Sequence, residues 1–275
     1  MAQGPTFDAW YYAHNCGRPY ARDEQWLRFF AGIAERIATD MAPRTALDAG
    51  CAMGLLVEEL RRREIDAHGV DISEYAIGKV AADAAPFCRV GSLSDELPAN
   101  YDLIVCVEVL EHIPAAESIG ALANICRHTD DVLFSSSPHD LAEATHVNVL
   151  PPEAWAELFA REGFLRDLDY DASFITPWAV RYRRRREAVP RVVREYERAL
   201  ARLAIERNEL RRQVQEFDRD VQAAAAETPQ LRQALAAANE QLLAAQQRLA
   251  VFEDRVTHME RSFFWRLRQL LRGGR

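Results

Sequence analysis

The chain has 275 residues, 49% of them hydrophobic, with 42 acidic against 34 basic side chains and a net charge of −8. That length allows one or two domains with a full core, and the acidic balance argues against nucleic acid as the default partner. Five cysteines, Cys16, Cys51, Cys88, Cys106 and Cys126, form an odd set without Cys-x-x-Cys spacing. This excludes a disulfide framework and points to reduced, mostly buried thiols in a cytoplasmic protein, with no structural metal expected. The first residues lack the apolar core of a signal peptide, and no apolar run reaches membrane-spanning length.

Trp26, Phe29, Phe30, Ile33 and Ile37 follow helical spacing and predict an amphipathic helix ahead of the first strand. Residues 45–54 then read Thr-Ala-Leu-Asp-Ala-Gly-Cys-Ala-Met-Gly. An apolar run ends in Asp48, Gly50 and Gly54 turn the backbone, and helical periodicity follows in Leu55, Leu56, Val57 and Leu60. A buried strand that delivers a glycine-bearing turn to a helix N-terminus builds a nucleotide pocket. A dinucleotide fingerprint counted from Gly50 is incomplete, because Ala52 and Leu55 stand where its second and third glycines would fall.

Ala67–Ile72 predicts a second strand ending in Asp71, with Ser73 capping a helix over Glu74–Ala84. An acid at such a tip can accept hydrogen bonds from both ribose hydroxyls; the plainer alternative is a turn or cap residue. Cys88–Leu93, Tyr101–Val109 and Asp131–Pro138 predict three more strands, the middle one buried on both faces. Pro151 and Pro152 start a helix over Glu153–Glu162 that Gly163 closes. Phe164–Tyr170 and Phe174–Tyr182 predict a closing antiparallel hairpin, so strands and helices alternate as in an α/β domain.

The remaining third has a different period. Stepping by sevens from Leu200 to Phe263, and from Tyr196 through Leu203 to Met259, gives two columns in which only Arg207 and Thr228 are polar. A register held for about nine heptads predicts a coiled coil, and a single helix cannot bury such a stripe alone, so a homo-oligomer is expected. Thr228-Pro229 interrupts the pattern as an N-cap and first-turn proline would, and the phase across it favours a kink over a hairpin. In Met259–Arg275, Phe263, Phe264, Leu267, Leu270 and Leu271 share a face opposite Arg261, Arg266, Arg268 and Arg272, with Trp265 between. This basic amphipathic segment can lie on an anionic membrane or end the coiled coil against protein. The divisions are therefore 1–186, 187–258 and 259–275.

Asp48 with Gly50 and Gly54 resembles the first motif of class I S-adenosylmethionine-dependent methyltransferases, with Ala52 in place of the middle glycine. The run from Asp102 to Glu108, followed by Leu110-Glu111-His112, resembles the segment after the fourth strand of small-molecule methyltransferases. Over about residues 8–184, the resemblance implies a Rossmann-like seven-stranded methyltransferase sheet. It implies S-adenosylmethionine as cofactor, near Asp48, Gly50, Cys51, Ala52, Gly54, Asp71, Ile72, Ser92, Leu93 and Glu108. It also implies that an N-terminal tyrosine among Tyr11, Tyr12 and Tyr20 lids the pocket. Thr145-His146-Val147-Asn148, the Pro-Pro-Glu-Ala-Trp helix start and Phe263-Phe264-Trp265-Arg266-Leu267 resemble coiled-coil-appended methyltransferases of bacterial surface-polysaccharide clusters. That likeness implies a sugar or other small-molecule hydroxyl as acceptor, at the inner face of the membrane.

Methyl transfer from a sulfonium needs a positioned acceptor and, for a hydroxyl, a base. His112 after the fourth strand is the first candidate base and His146 the second. His139 is a further loop histidine, and His68 is expected to be structural. An ordinary carboxylate such as Glu108 or Glu111 is a weak base toward a sugar hydroxyl. The Asn/Asp-Pro-Pro-aromatic turn of amino-group methylases is absent after the fourth strand, which favours oxygen as the acceptor atom. The competing function is a methyltransferase-like scaffold that works through its coiled coil.

Overall fold

The computed structural model describes residues 7–272, and at 260, 262, 265 and 269–272 the backbone alone. The chain divides into two compact units, Met1–Glu197 and Arg198–Arg275.

The first unit is built on seven strands: β1 Thr45–Ala49, β2 Asp66–Asp71, β3 Cys88–Val90, β4 Leu103–Val107, β5 Asp131–Ser135, β6 Phe164–Arg166 and β7 Val180–Arg184. Their order is β3-β2-β1-β4-β5-β7-β6, with β7 antiparallel to both β5 and β6 and all other pairs parallel. This is the expected α/β, Rossmann-like methyltransferase sheet. The helices of this unit are α1 Ala9–His14, α2 Glu24–Asp40, α3 Leu55–Arg61, α4 Glu74–Ile77, α5 Ala115–Arg127 and α6 Pro152–Arg161.

Period-two alternation explains why the central strands read as unbroken apolar runs. Leu103, Val105 and Leu133 pack with Ile33, Ile37, Leu56 and Leu60 of α2 and α3. Ile104, Cys106, Val132 and Phe134 pack with Leu122, Ile125, Trp155 and Phe159 of α5 and α6. Each strand therefore buries both faces, which a parallel sheet sandwiched by helices requires. The first half of α2 does something else: Tyr20 packs against Trp26 and Phe30 at 4.8 and 6.2 Å, while Phe29 stays exposed.

Several expected elements are revised, among them the strand from Phe164, which stops at Arg166 instead of Tyr170. The helix from Glu74 stops at Ile77, with Gly78 as its C-cap. Strand β3 ends at Val90 and the chain turns at Leu93 and Ser94. The last strand begins at Val180 instead of Phe174. Pro177 has no N–H to give a ladder, and Ala172, Ile175 and Ala179 are spent on the core. Finally, a single helix, α7 Val189–Arg272, runs through Pro229. Thr228 is no N-cap there, since its hydroxyl donates to the Ala224 carbonyl at 2.8 Å. Among the described residues no helix is long and apolar enough to cross a membrane. The side chains of Trp265, Leu270, Leu271 and Arg272 in the tail lie outside the described residues.

Candidate active site

The parallel strands β1, β2 and β4 present their carboxyl ends along one edge, where the first cluster of expected residues gathers. After β1 the backbone takes positive φ at Gly50 (+91°), Ala52 (+46°) and Gly54 (+68°). A Cβ at Gly50 would stand 2.3 Å from Val109 Cγ2, and one at Gly54 would stand 3.0 Å from Cys88 Sγ and Val80 Cγ1. Both glycines are thus required by conformation and by space. Ala52 holds the same left-handed turn at some strain, stabilised by its N–H donating to Asp71 Oδ2 at 2.7 Å.

Asp71 ends β2 with its other oxygen accepting the Ser73 N–H at 2.8 Å. Ser73 caps α4 through Ala76 N–H and donates to the Phe7 carbonyl, tying the N-terminal segment over this corner. Asp48 is buried, and burial together with the nearby Asp71 carboxylate pushes its pKa up to about 8. Burial raises Asp71 as well, and no arginine or lysine offsets either shift. Two close carboxylates without a cation, beside a side-chain-poor turn, fit a cationic nucleoside such as S-adenosylmethionine. Asp48 and Asp71 would hold such a group by its charge and its ribose hydroxyls, and the turn through Gly50, Ala52 and Gly54 would leave room beside it.

The second cluster follows β4. Glu108 adopts φ +54°, a conformation that costs a non-glycine residue about 1–2 kcal/mol and persists only where the surroundings hold it. Here its backbone N–H donates to the Ser135 carbonyl at 2.8 Å, and its carboxylate accepts from Ser135 Oγ and from Trp178 Nε1. A 3₁₀ turn, Leu110–His112, then carries Glu111 and His112 inward.

The His112 ring lies between two segments far away in sequence. Its Nδ1 is 3.2 Å from the Thr145 carbonyl and 3.0 Å from Thr145 Oγ1. A carbonyl only accepts, so Nδ1 carries the proton and Nε2 keeps its lone pair. The Tyr11 hydroxyl donates to that Nε2 at 3.3 Å. Thr145 Oγ1 in turn donates to Glu143 Oε1 at 2.9 Å, a carboxylate also held by Asn15 Nδ2 at 2.6 Å. The result is a polarised chain, Tyr11 to His112 to Thr145 to Glu143. His146 meets the His112 ring at 4.6 Å and points its own Nδ1 at the Asp140 carbonyl, 2.8 Å away. Asn148 pins this loop through Leu110 O and Ser118 Oγ, while the Val147 and Asn148 N–H groups donate to the Glu111 carbonyl.

Burial, with His146 alongside, lowers the His112 pKa from 6.5 to about 4. The imidazole is therefore neutral at pH 7 in the folded state, and the unfolded chain takes up its proton first as pH falls. Stability from this residue is fully present above about 6.5 and is lost down to about pH 4, amounting to about 3 kcal/mol for that shift. Denaturant titrations at pH 7 and pH 5 check this: the loss between them shrinks in His112→Gln.

Glu111 is fully buried, with Oε1 accepting the Ser137 N–H at 3.2 Å and Oε2 lacking any partner. Burial and the adjacent Glu108 hold its pKa well above the carboxylate range. One donor atom from each of Glu111, His112 and His146 lies within 4.8 Å of the others, a grouping that sequence spacing did not reveal.

The structure brings together Asp48, Gly50, Cys51, Ala52, Gly54 and Asp71 on one side, and Glu108, His112 and His146 on the other. Tyr11 and Tyr12 of α1 pack in one cluster with Met53 and Ala76, so α1 covers the edge between them. The other expected residues have these surroundings, with Ile72 directly after Asp71 at the β2 tip. Ile72 is 60% exposed, Leu93 packs in the core, and the Ser92 hydroxyl accepts the Ser94 N–H. His139 is exposed and His68 lies within β2. Glu143, Ser135 and Trp178 were not read from the sequence, although Thr145 was visible beside His146.

The chain belongs to the methyltransferase domain family, whose model matches residues 20–165. Among curated proteins, the chain is 32% identical over 111 residues to a ubiquinone biosynthesis O-methyltransferase of Methylococcus capsulatus, covering 36% of this chain and 45% of that one. It is 34% identical over 114 residues to a protein of the same name from Acinetobacter baumannii, covering 38% and 48%. The chain thus spans about half the length of the curated relatives it matches. Among solved structures, magnesium protoporphyrin IX methyltransferase of Synechocystis aligns with TM-score 0.48 and 19% identity, over 58% of this chain and 84% of that one.

Proposed function

We propose that this protein transfers a methyl group from S-adenosylmethionine to a hydroxyl of a sugar or other small molecule in surface-glycan assembly. The observation that carries the reading is the neutral His112 imidazole, whose Nε2 lone pair faces the Tyr11 hydroxyl at 3.3 Å. An acceptor hydroxyl in the place of that phenol donates the same hydrogen bond. When bound, S-adenosylmethionine supplies a methyl group already activated on a sulfonium. Burial leaves His112 a weak base. It therefore holds the acceptor hydroxyl at Nε2 and takes the proton as the new carbon–oxygen bond forms and makes that oxygen strongly acidic. Thr145 with Glu143 fixes its tautomer and steadies the imidazolium. Asp48, Asp71 and the turn through Gly50 and Gly54 hold the donor, and α1 excludes water. The names of the curated relatives support oxygen as the acceptor atom. The surface-glycan context rests on the Thr145–Asn148 and tail motifs. The long helix is the self-association arm, and the tail, with exposed Phe263, Phe264 and Leu267 on it, is suited to the inner membrane face.

A second reading is favoured by the unpartnered, fully buried Glu111 Oε2. Glu111, His112 and His146 would hold a divalent cation, and such an ion would acidify the acceptor hydroxyl in place of a base. One assay separates these. Labelled methyl transfer is followed on panels of sugar, phenol and amine acceptors, with and without EDTA. The base reading expects transfer to sugar hydroxyls that EDTA leaves unchanged. Loss with EDTA and recovery on adding a divalent cation selects the second reading, and transfer only to amines overturns both.

A further inference from the structure

The helix α7 carries a stripe that nothing in its own unit can cover. Leu203 is 60% exposed, Phe217 71%, Leu231 66% and Phe252 64%. Each such side chain forgoes about 1.5–3 kcal/mol of burial while it faces water. The outer face is satisfied by itself, since Arg212 pairs with Glu209 and Glu216 one turn to either side. The positions flanking the stripe identify its occupant.

With Leu200 and Leu203 as core positions a and d, the flanking g positions hold Glu206, Glu227 and Arg248, and the flanking e positions hold Arg211, Arg232 and Glu253. In a parallel, in-register pair, each g residue faces the e residue five places on in the other strand. Glu206 then meets the partner's Arg211, Glu227 meets the partner's Arg232, and Arg248 meets the partner's Glu253. Every one of these pairs is attractive and occurs twice by symmetry, and among the described side chains no like-charged pair arises. Run antiparallel at full overlap, the same sequence sets Arg232 against its own copy and leaves Glu227 opposite Ala234. Arg207, the charged core position, reinforces the register, because its layer in the parallel pair also holds the partner's Glu206. A single polar residue in such a seam costs stability and specifies alignment.

We propose that α7 is the interface of a parallel, in-register, two-stranded coiled coil between two copies of this chain. This rests on the reading of α7 as a self-association arm, and the two claims are tested separately. Light scattering on the full chain reports the first: twice the 31.2 kDa chain mass is expected. A monomer mass overturns self-association, and three or four chains overturn the two-stranded form. Orientation comes from Leu210→Cys and Leu249→Cys, oxidised singly and mixed, with the unsubstituted chain as control for the native thiols. The parallel pair cross-links in each variant alone. Cross-linking only in the mixture, where positions 210 and 249 meet, overturns it in favour of the antiparallel arrangement.

Charge reversal gives an independent readout. Glu227→Arg places two repulsive pairs in the parallel dimer and raises its dissociation constant about tenfold. Adding Arg232→Glu restores it to within about twofold, because the attraction returns with its signs exchanged. An unchanged constant in the single variant, or no rescue in the double, contradicts the parallel register.

Discussion

Replacing His112 by glutamine lowers kcat by about 10²–10⁴ while leaving the dissociation constant for S-adenosylmethionine unchanged. Glutamine retains a side-chain donor and acceptor near Thr145 and Tyr11 but has no lone pair basic enough to take a hydroxyl proton. The donor corner, formed by Asp48, Gly50, Ala52 and Asp71, is built from β1 and β2 and does not contain His112. The loss therefore falls on turnover. Equal losses in turnover and donor affinity would show that His112 shapes the donor site instead. His146→Gln has a smaller effect, because the Thr145 contacts that set the His112 tautomer do not pass through it.

Asp71→Ala weakens binding of S-adenosylmethionine and of its demethylated product equally, by about 100-fold, or about 2.7 kcal/mol. Both nucleosides carry the ribose that a strand-tip carboxylate grips, so the loss does not depend on the methyl group. Part of the cost arises within the protein, since the carboxylate also accepts the Ala52 and Ser73 N–H groups and braces the strained turn. The same substitution removes the charge that raises the Asp48 pKa, so Asp48 titrates lower in the variant. Calorimetric titration with each nucleoside checks the pair; selective weakening of the methylated form alone would place Asp71 beside the sulfonium instead of the ribose.

How far the sequence could be read depended on whether a residue's role is local. Asp48, Gly50, Gly54 and Asp71 were legible because strand, turn and strand tip follow one another within a short stretch. Ser73 was legible as a cap for the same reason. Boundaries failed where apolar side chains serve something other than a ladder. Ile175 and Ala179 looked like strand residues, yet they fill the core beside α2 and α3, while Trp178 turns its indole to Glu108. Thr228-Pro229 looked like a break, but one missing N–H is a small loss in so long a helix, and the Thr228 hydroxyl bonds back along it.

The acceptor-side chain was invisible for a different reason. Tyr11 is 101 residues from His112 in sequence, and Thr145 is 33 away. Only the folded sheet edge brings α1 and the 136–150 loop onto the same imidazole. Glu111 illustrates the point further: as one acid of a Glu-x-x-Glu-His run it reads as an ordinary carboxylate, yet the 3₁₀ turn buries it completely.

The proposed donor site consists of two cation-free carboxylates and a side-chain-poor turn. Titrating S-adenosylmethionine into the full chain at pH 7, in two buffers of different ionisation enthalpy, tests this most directly. Asp48, with its pKa near 8, is largely protonated before the cation arrives and is driven to ionise beside it. Saturable one-to-one binding accompanied by release of close to one proton is the expected result, and Asp48→Asn abolishes the release. Absence of saturable heat, or binding with no proton released in either buffer, would contradict the account.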